Sequence, residues 1–221
     1  LAAGGATCVV GYNGGADRAG KLAREVGNGA IAVRIPMEDS DAIRAAAAQV
    51  ESKLGRADIL VNSAGTTVAV PHADLDKLDD ETFDRVMRIN VRGPFATIRS
   101  FVPLLKKSGD AIIINISSLS GATGNGSSIV YCASKAAVDT MGLSLGRVLG
   151  PEIRVIGISP AAVATDFVPG RDRAALEKRA QAVPLKRVVE PPDVALAIMG
   201  CITHMKTATG SRFVIDAGHH L

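Results

Sequence analysis

The sequence predicts an α/β fold, a parallel sheet with helices covering both faces. Three observations carry that prediction. Short, continuous apolar runs such as Ile112-Ile-Ile-Asn-Ile116 recur along the chain, without the alternation of a sheet that has one wet face. Longer segments with helical character separate them. Several apolar runs end in small or polar residues: Asn62-Ser-Ala-Gly65, Ser117-Ser118 and Ser159-Pro160. In an open parallel sheet such strand tips share one edge, and ligands bind there.

The elements follow in order. Leu1-Ala-Ala-Gly4-Gly5 reads as the end of a helix with a glycine stop. Residues 6–10 read as a short buried strand, 11–15 as a loop and 16–26 as a helix. Residues 30–35 form the next strand and 39–54 a helix that Asp39 or Ser40 can cap. Residues 58–61 are a third strand, followed after Gly65 by a loop over 66–80. Residues 80–105 are largely helical, with Gly93-Pro94 expected to kink the helix. Residues 111–117 are the fourth strand, 131–149 a helix stopped at Gly150-Pro151, and 153–158 the fifth strand. A helical piece near 172–182, a helix over 193–203 and a strand over 212–215 complete the alternation. No repeat, low-complexity tract or linker interrupts it, so residues 1–221 read as a single domain.

Composition narrows the function. Hydrophobic residues make up 47% of the chain and charged residues 21%, which suits a large core and argues against disorder. The net charge is +3 and the basic residues are dispersed, so the concentrated basic face of a nucleic-acid binder is missing. Cys8, Cys132 and Cys201 are far apart and suggest neither a disulfide framework nor a zinc site, which fits a reducing cytoplasm. His72, His204, His219 and His220 lack metal-ligand spacing, so no metal is expected. No run of ~18 apolar residues is present, so no membrane span is predicted.

The chemistry concentrates between Ile112 and Gly146. A buried strand delivers Ser117-Ser118, a glycine- and serine-rich connection follows, and Tyr131-Cys-Ala-Ser-Lys135 opens a helix. Four-residue spacing puts Tyr131 and Lys135 on one helical face, one turn apart. A free tyrosine has a pKa near ~10, and a neighbouring cation favours its phenolate. Tyr131 beside Lys135 is therefore suited to exchange a proton with an alcohol or carbonyl oxygen. Ser118, at the tip of the strand, is placed to hydrogen-bond that oxygen. A lone Tyr-x-x-x-Lys is common by chance; the preceding strand, serine pair and glycines make the match specific.

On these residues the chain resembles the short-chain dehydrogenase/reductase family over nearly its whole length. The resemblance implies a Rossmann-like doubly wound sheet. Asn62-Ser-Ala-Gly65 is similar to the family's Asn-Asn-Ala-Gly segment, which supports the sheet and lines the cofactor ribose, so Asn62, Ala64 and Gly65 are implied cofactor residues. Ile89-Asn90-Val91 matches the segment whose asparagine joins the catalytic set, with Asn90 holding a relay water beside Lys135. Ser118, Tyr131 and Lys135 complete that set, and the thirteen-residue spacing to Tyr131 selects Ser118 over Ser117. Tyr131 and Lys135 also face the cofactor. Ser159-Pro160-Ala161-Ala-Val163-Ala-Thr165-Asp166 resembles the loop beside the nicotinamide, where the Val163 backbone and the Thr165 hydroxyl would make contact. Pro184-Leu-Lys-Arg187, Pro192-Asp-Val-Ala195, Thr209-Gly210 and Asp216-Ala-Gly218 match the C-terminal pattern.

Departures from the family pattern matter too. Its glycine-rich phosphate loop and the strand before it would precede Leu1, and that strand would lie between the strands at 6–10 and 58–61. The expectation is a segment ahead of Leu1. Pro36 stands where the family carries an adenine-contacting aspartate, while Ala161 and Ala217 replace glycines and restrict the backbone.

The strand over 6–10 is followed by Gly11-Tyr12-Asn13, with no acid before Asp17. An acid there would repel a 2′-phosphate. Tyr12 and Asn13 as cofactor contacts therefore favour NADP, with NAD the alternative; asparagine before glycine also suits a plain turn. Residues 166–190 form the implied substrate lid, with Phe167 as a substrate contact beside Val168 and Leu176. The lid also carries Arg171, Arg173, Lys178 and Arg179, either a solvated face or a greeting for an acyl carrier. The small-residue helix Ala136–Gly150 implies a homo-oligomer, tetramer or dimer. The implied activity is NADP(H)-dependent reduction of a carbonyl to a secondary alcohol, resembling 3-oxoacyl carrier-protein reduction. Sugar, polyol or steroid-type alcohol dehydrogenation, or a non-catalytic dinucleotide sensor, are the alternatives.

Overall fold

The computed structural model describes residues 1–170 and 172–221; Arg171, one of the expected lid cations, lies outside them. Strands and helices alternate: β1 (Val9–Tyr12), α1 (Ala16–Val26), β2 (Ile31–Arg34), α2 (Ser40–Leu54), β3 (Ile59–Asn62), α3 (Asp80–Met87), α4 (Gly93–Lys106), β4 (Ala111–Ile116), α5 (Ser120–Thr123), α6 (Ile129–Val148), β5 (Ile153–Pro160), α7 (Arg173–Ala180), α8 (Pro191–Thr203) and β6 (Ser211–Ile215). All strand pairs are parallel. β4 shows why its sequence has no alternation. Ile113 packs with Phe101, Leu104 and Leu105 of α4 and Val50 of α2, while Ile112 and Ile114 pack against Cys201 and Ile198 of α8. Both faces are dry, so both sets of side chains are apolar.

The strands form two ladders, β1-β2 and β3-β4-β5-β6. Among the described residues β1 and β3 belong to separate ladders. Asn62 is β3's register partner of Asn115 on β4, and its Nδ2 donates to Asn115 Oδ1 across 2.9 Å. Its side chain thus supports the sheet, as the resemblance implied.

Four local expectations are corrected or sharpened. The first strand is Val9–Tyr12, so Gly11 and Tyr12 pair with β2 rather than opening a loop. The helical stretch from Asp80 continues to Lys106, and the disturbance expected at Gly93-Pro94 takes the form of a π-helical turn at Arg88–Arg92, just ahead of α4. Pro94 has no N–H to give the carbonyl four residues back, Asn90, and the π-helical turn falls on the residues just before it. The connection after Ser118 contains the short α5. Helix α8 begins at Pro191, with Glu190 and Asp193 forming a capping box.

Arg154 secures the end of the sheet opposite the strand tips. It is 9% exposed, and its Nη1 donates to the carbonyls of Cys201 and Met205 at the C-terminal end of α8, each at 3.1 Å. The Met205 carbonyl also accepts the Ala208 N–H at 3.1 Å, whereas the Cys201 carbonyl lies in the last turn of α8, where the helix supplies no donor. Replacing Arg154 with Met removes both bonds and leaves the Cys201 carbonyl unsatisfied, and we expect a loss of about 1–3 kcal/mol in urea unfolding, with dinucleotide binding retained.

Candidate active site

The tips of β3, β4 and β5 converge on a cavity of about 1070 Å³. Gly65, Ser118, Tyr131, Lys135, Val163, Thr165 and Phe167 all line it. Residues from β3, β4, α6 and the segment after β5, spread over a hundred positions of sequence, therefore meet in one place. Asn62, Ala64 and Asn90 do not line the cavity, and Tyr12 and Asn13 stand apart from it at the tip of β1.

The two serines at the tip of β4 have different partners. Ser117 Oγ donates to the Lys135 carbonyl at 3.2 Å, so its hydroxyl is bound into the base of α6. Ser118 Oγ accepts the Ser120 N–H at 3.2 Å, and the residue lines the cavity. Gly121 on α5 brings this segment onto α6: a Cβ there would lie 2.7 Å from the Ala136 nitrogen, so only glycine permits the approach.

Tyr131 and Lys135 hold the predicted relation. Lys135 Nζ lies 5.7 Å from the Tyr131 ring centroid. Ser128 caps α6, accepting the Tyr131 N–H at 3.3 Å. Lys135 is 5% exposed and reaches back to donate to the Ile116 carbonyl at 2.8 Å. Burial lowers its pKa from 10.5 to about 8, with the Asp139 carboxylate pulling the other way. The Phe167 ring leans on Tyr131 at 5.9 Å between centroids and 53° between planes. The Thr165 hydroxyl accepts the Phe167 N–H at 3.4 Å, which ties the start of the lid to the loop after β5.

Asn90 sits on the π-helical turn and is 1% exposed. Its Oδ1 accepts the Thr66 N–H at 2.8 Å, while Nδ2 donates to the Thr66 carbonyl at 2.9 Å and to Ser134 Oγ at 3.0 Å. Its side chain is thus occupied in holding the loop after β3. Sequence reading passed over Ser134, although its place three residues after Tyr131 on the same helical face was a usable signal.

The residues fit a bound dinucleotide. Gly65 lines the cavity beside the ammonium: a Cβ there would lie 3.4 Å from Asn90 Oδ1 and 3.8 Å from Lys135 Nζ. At the tip of β1, Arg34 on β2 donates through Nε to the Asn13 carbonyl at 3.3 Å. The Arg18 guanidinium approaches Gly15, 3.6 Å from where a Cβ would stand. The β1–β2 register places Arg34 beside Tyr12 and so brings a guanidinium to the tip of β1. Among the described residues no cluster of His, Cys, Asp or Glu could hold a metal, and no helix is long and apolar enough to cross a membrane.

A parallel doubly wound sheet whose strand tips gather serine, tyrosine and buried lysine defines the class: an NAD(P)-dependent oxidoreductase. Comparison with known proteins gives the family. A family model described as enoyl-(acyl carrier protein) reductase matches residues 1–220. A Streptomyces violaceoruber protein assigned as a ketoacyl reductase of the granaticin polyketide synthase is 36% identical over 83% of this chain and 74% of its own. The 3-oxoacyl-[acyl-carrier-protein] reductase of Thermotoga maritima is 33% identical over 81% of this chain and 73% of its own. The crystal structure of a Brucella melitensis 3-ketoacyl-(acyl-carrier-protein) reductase complexed with NADH superposes with a TM-score of 0.88. It is 29% identical and covers 100% of this chain and 90% of that one. The chain belongs to the short-chain dehydrogenase/reductase family.

The buried lysine has a measurable consequence. Between pH 8 and 10.5 the unfolded chain holds a proton on Lys135 that the folded chain has released, so this group makes stability rise with pH. In paired denaturant titrations we expect the wild type to gain on a Lys135→Met variant across that window and to run parallel with it below pH 7.

Proposed function

We propose that the protein reduces a 3-oxoacyl thioester to the 3-hydroxyacyl form with NADPH. The observation that carries this reading is the meeting of Ser118, Tyr131 and Lys135 on one cavity. Its lining also includes Val183, Pro184, Val194 and Ile198, apolar side chains suited to an acyl chain. When bound, NADPH supplies the hydride that reaches the carbonyl carbon. Ser118 donates to the carbonyl oxygen and holds it near Tyr131. Tyr131 passes its proton to that oxygen as negative charge develops there. Lys135 stabilises the phenolate left behind and, with Gly65, holds the nicotinamide ribose. Asn90 fixes the loop that carries Gly65 and supports the relay that returns a proton to Tyr131. Val163 and Thr165, which line the cavity, would hold the nicotinamide end, and Phe167 would cover the substrate.

The relatives named ketoacyl reductases support the same substrate class, including delivery on an acyl carrier. The preference for NADPH rests on Arg34 beside Asn13, on Arg18 beside Gly15 and on the absence of an acid from Tyr12 to Gly15. A 2′-phosphate would be met by cations there rather than repelled.

Two measurements test this. With acetoacetyl-CoA, a simple-ketone panel and a 2-enoyl-CoA, NADPH oxidation should be fastest on the 3-oxo thioester. Tyr131→Phe should lower kcat by ~10²–10⁴-fold. Turnover confined to the 2-enoyl thioester would sink the proposal, as would an undiminished Tyr131→Phe. In nucleotide fluorescence titrations, Arg34→Ala should weaken NADPH binding by roughly tenfold, the loss of one charge-assisted contact, and leave NADH binding unchanged.

A further inference from the structure

We infer that Ser134 is a positioning residue for Tyr131: its hydroxyl, clamped between the Asn90 amide and the Tyr131 carbonyl, sets helix α6 against the loop after β3. The inference rests on the reading above that Tyr131 moves the proton. Ser134 is 0% exposed, and both hydrogen-bonding roles of its hydroxyl are filled. It donates to the Tyr131 carbonyl at 2.8 Å and accepts from Asn90 Nδ2 at 3.0 Å. Asn90 uses the rest of its amide on Thr66, the residue after Gly65. One continuous chain of hydrogen bonds therefore runs from the Gly65–Thr66 loop, through the π-helical turn, to the backbone of Tyr131.

The clamp is matched on the other side. Ser128 Oγ takes the Tyr131 N–H while Ser134 Oγ takes its carbonyl, so hydroxyls grip both polar groups that Tyr131 contributes to the backbone. The π-helical turn is what makes the first link possible. An extra residue in the turn shifts the side chains that follow, and such turns recur at functional sites. Here it turns Asn90 inward to where Ser134 can accept from it. Removing the Ser134 hydroxyl leaves an Asn90 N–H buried without an acceptor and unties α6 from the loop. Proton transfer needs its partners within ~3 Å, and misplacement by ~1 Å can cost ~10²-fold in rate.

The test measures turnover and dinucleotide affinity on Ser134→Ala, Ser134→Thr and the pair with Asn90→Ala. Ser134→Ala should lower kcat by ~10-fold or more while the NADPH Kd changes by less than ~2-fold, since no cofactor contact is removed. Ser134→Thr should recover most of kcat, because a helical threonine hydroxyl can bond the carbonyl one turn back. Adding Ser134→Ala to Asn90→Ala should cost little more than Asn90→Ala alone, as for residues that act as one unit. A folded Ser134→Ala with wild-type kcat overturns the inference, and so do losses that simply multiply in the double variant. Should Ser134→Ala lose its circular dichroism signal, Ser134→Cys keeps the volume with a weaker donor and acceptor and is judged by the same criteria. An active Tyr131→Phe sinks the reading of Tyr131 itself; an inactive Tyr131→Phe beside an unimpaired Ser134→Ala sinks only the role of Ser134.

Discussion

The hydrogen bond from Lys135 Nζ to the Ile116 carbonyl is the constraint on which the site depends. It joins the catalytic helix to the last residue of β4, one step before the serine pair. Burying an ammonium is unfavourable unless its protons find partners, and this carbonyl is the partner that the sheet itself supplies. The return link runs from Ser117 Oγ to the Lys135 carbonyl. Helix and strand are thus stitched in both directions, and Ser118 and Tyr131 are carried on opposite sides of the stitch. Because β4 is dry on both faces, its tip is as rigid as the core that holds it.

Around that stitch, glycine and small polar residues settle distances that larger side chains would spoil. Gly121 lets α5 touch the backbone of α6, and Gly65 lines the cavity beside Lys135. The Asn62–Asn115 bond stiffens the β3–β4 pair just below the loop that Asn90 anchors. Not every departure from the family pattern is neutral locally. Ala217, where the family carries glycine, sits at φ 56°, in the left-handed region that disfavours a side chain. The turn accepts it because the Ala217 carbonyl receives the Leu185 N–H at 3.1 Å and the Asp216 side chain caps the residues beyond.

How much was legible in the sequence follows from the range of the interactions. The order and type of the elements were readable because helical spacing and continuous apolar runs are local consequences of one chain segment meeting the core. Tyr131 and Lys135 were readable for the same reason, being one turn apart on one helix, and Ser118 was separated from Ser117 by spacing. The disturbance at Gly93-Pro94 was readable; its form, a π-helical turn, was not. Nothing in Arg88–Arg92 forbids an ordinary α-helix; the turn is held by Asn90 bonds to residues 24 and 44 positions away. The β1 boundary was misplaced because Gly11 and Tyr12 resemble a loop until β2 is laid beside them.

The sequence by itself determined the fold class and the family, and it named Ser118, Tyr131 and Lys135 as candidates for the proton chemistry, since all three readings rest on local pattern and on spacing along one segment. The tertiary structure alone decided that the Ser117 hydroxyl is bound to the Lys135 carbonyl while Ser118 lines the cavity. It also decided that Asn90 is committed to Thr66 and Ser134, and that Arg34 stands at the tip of β1 beside Asn13. Those facts belong to pairs of groups brought together by strand register and by helix packing. No single stretch of chain contains both members of such a pair.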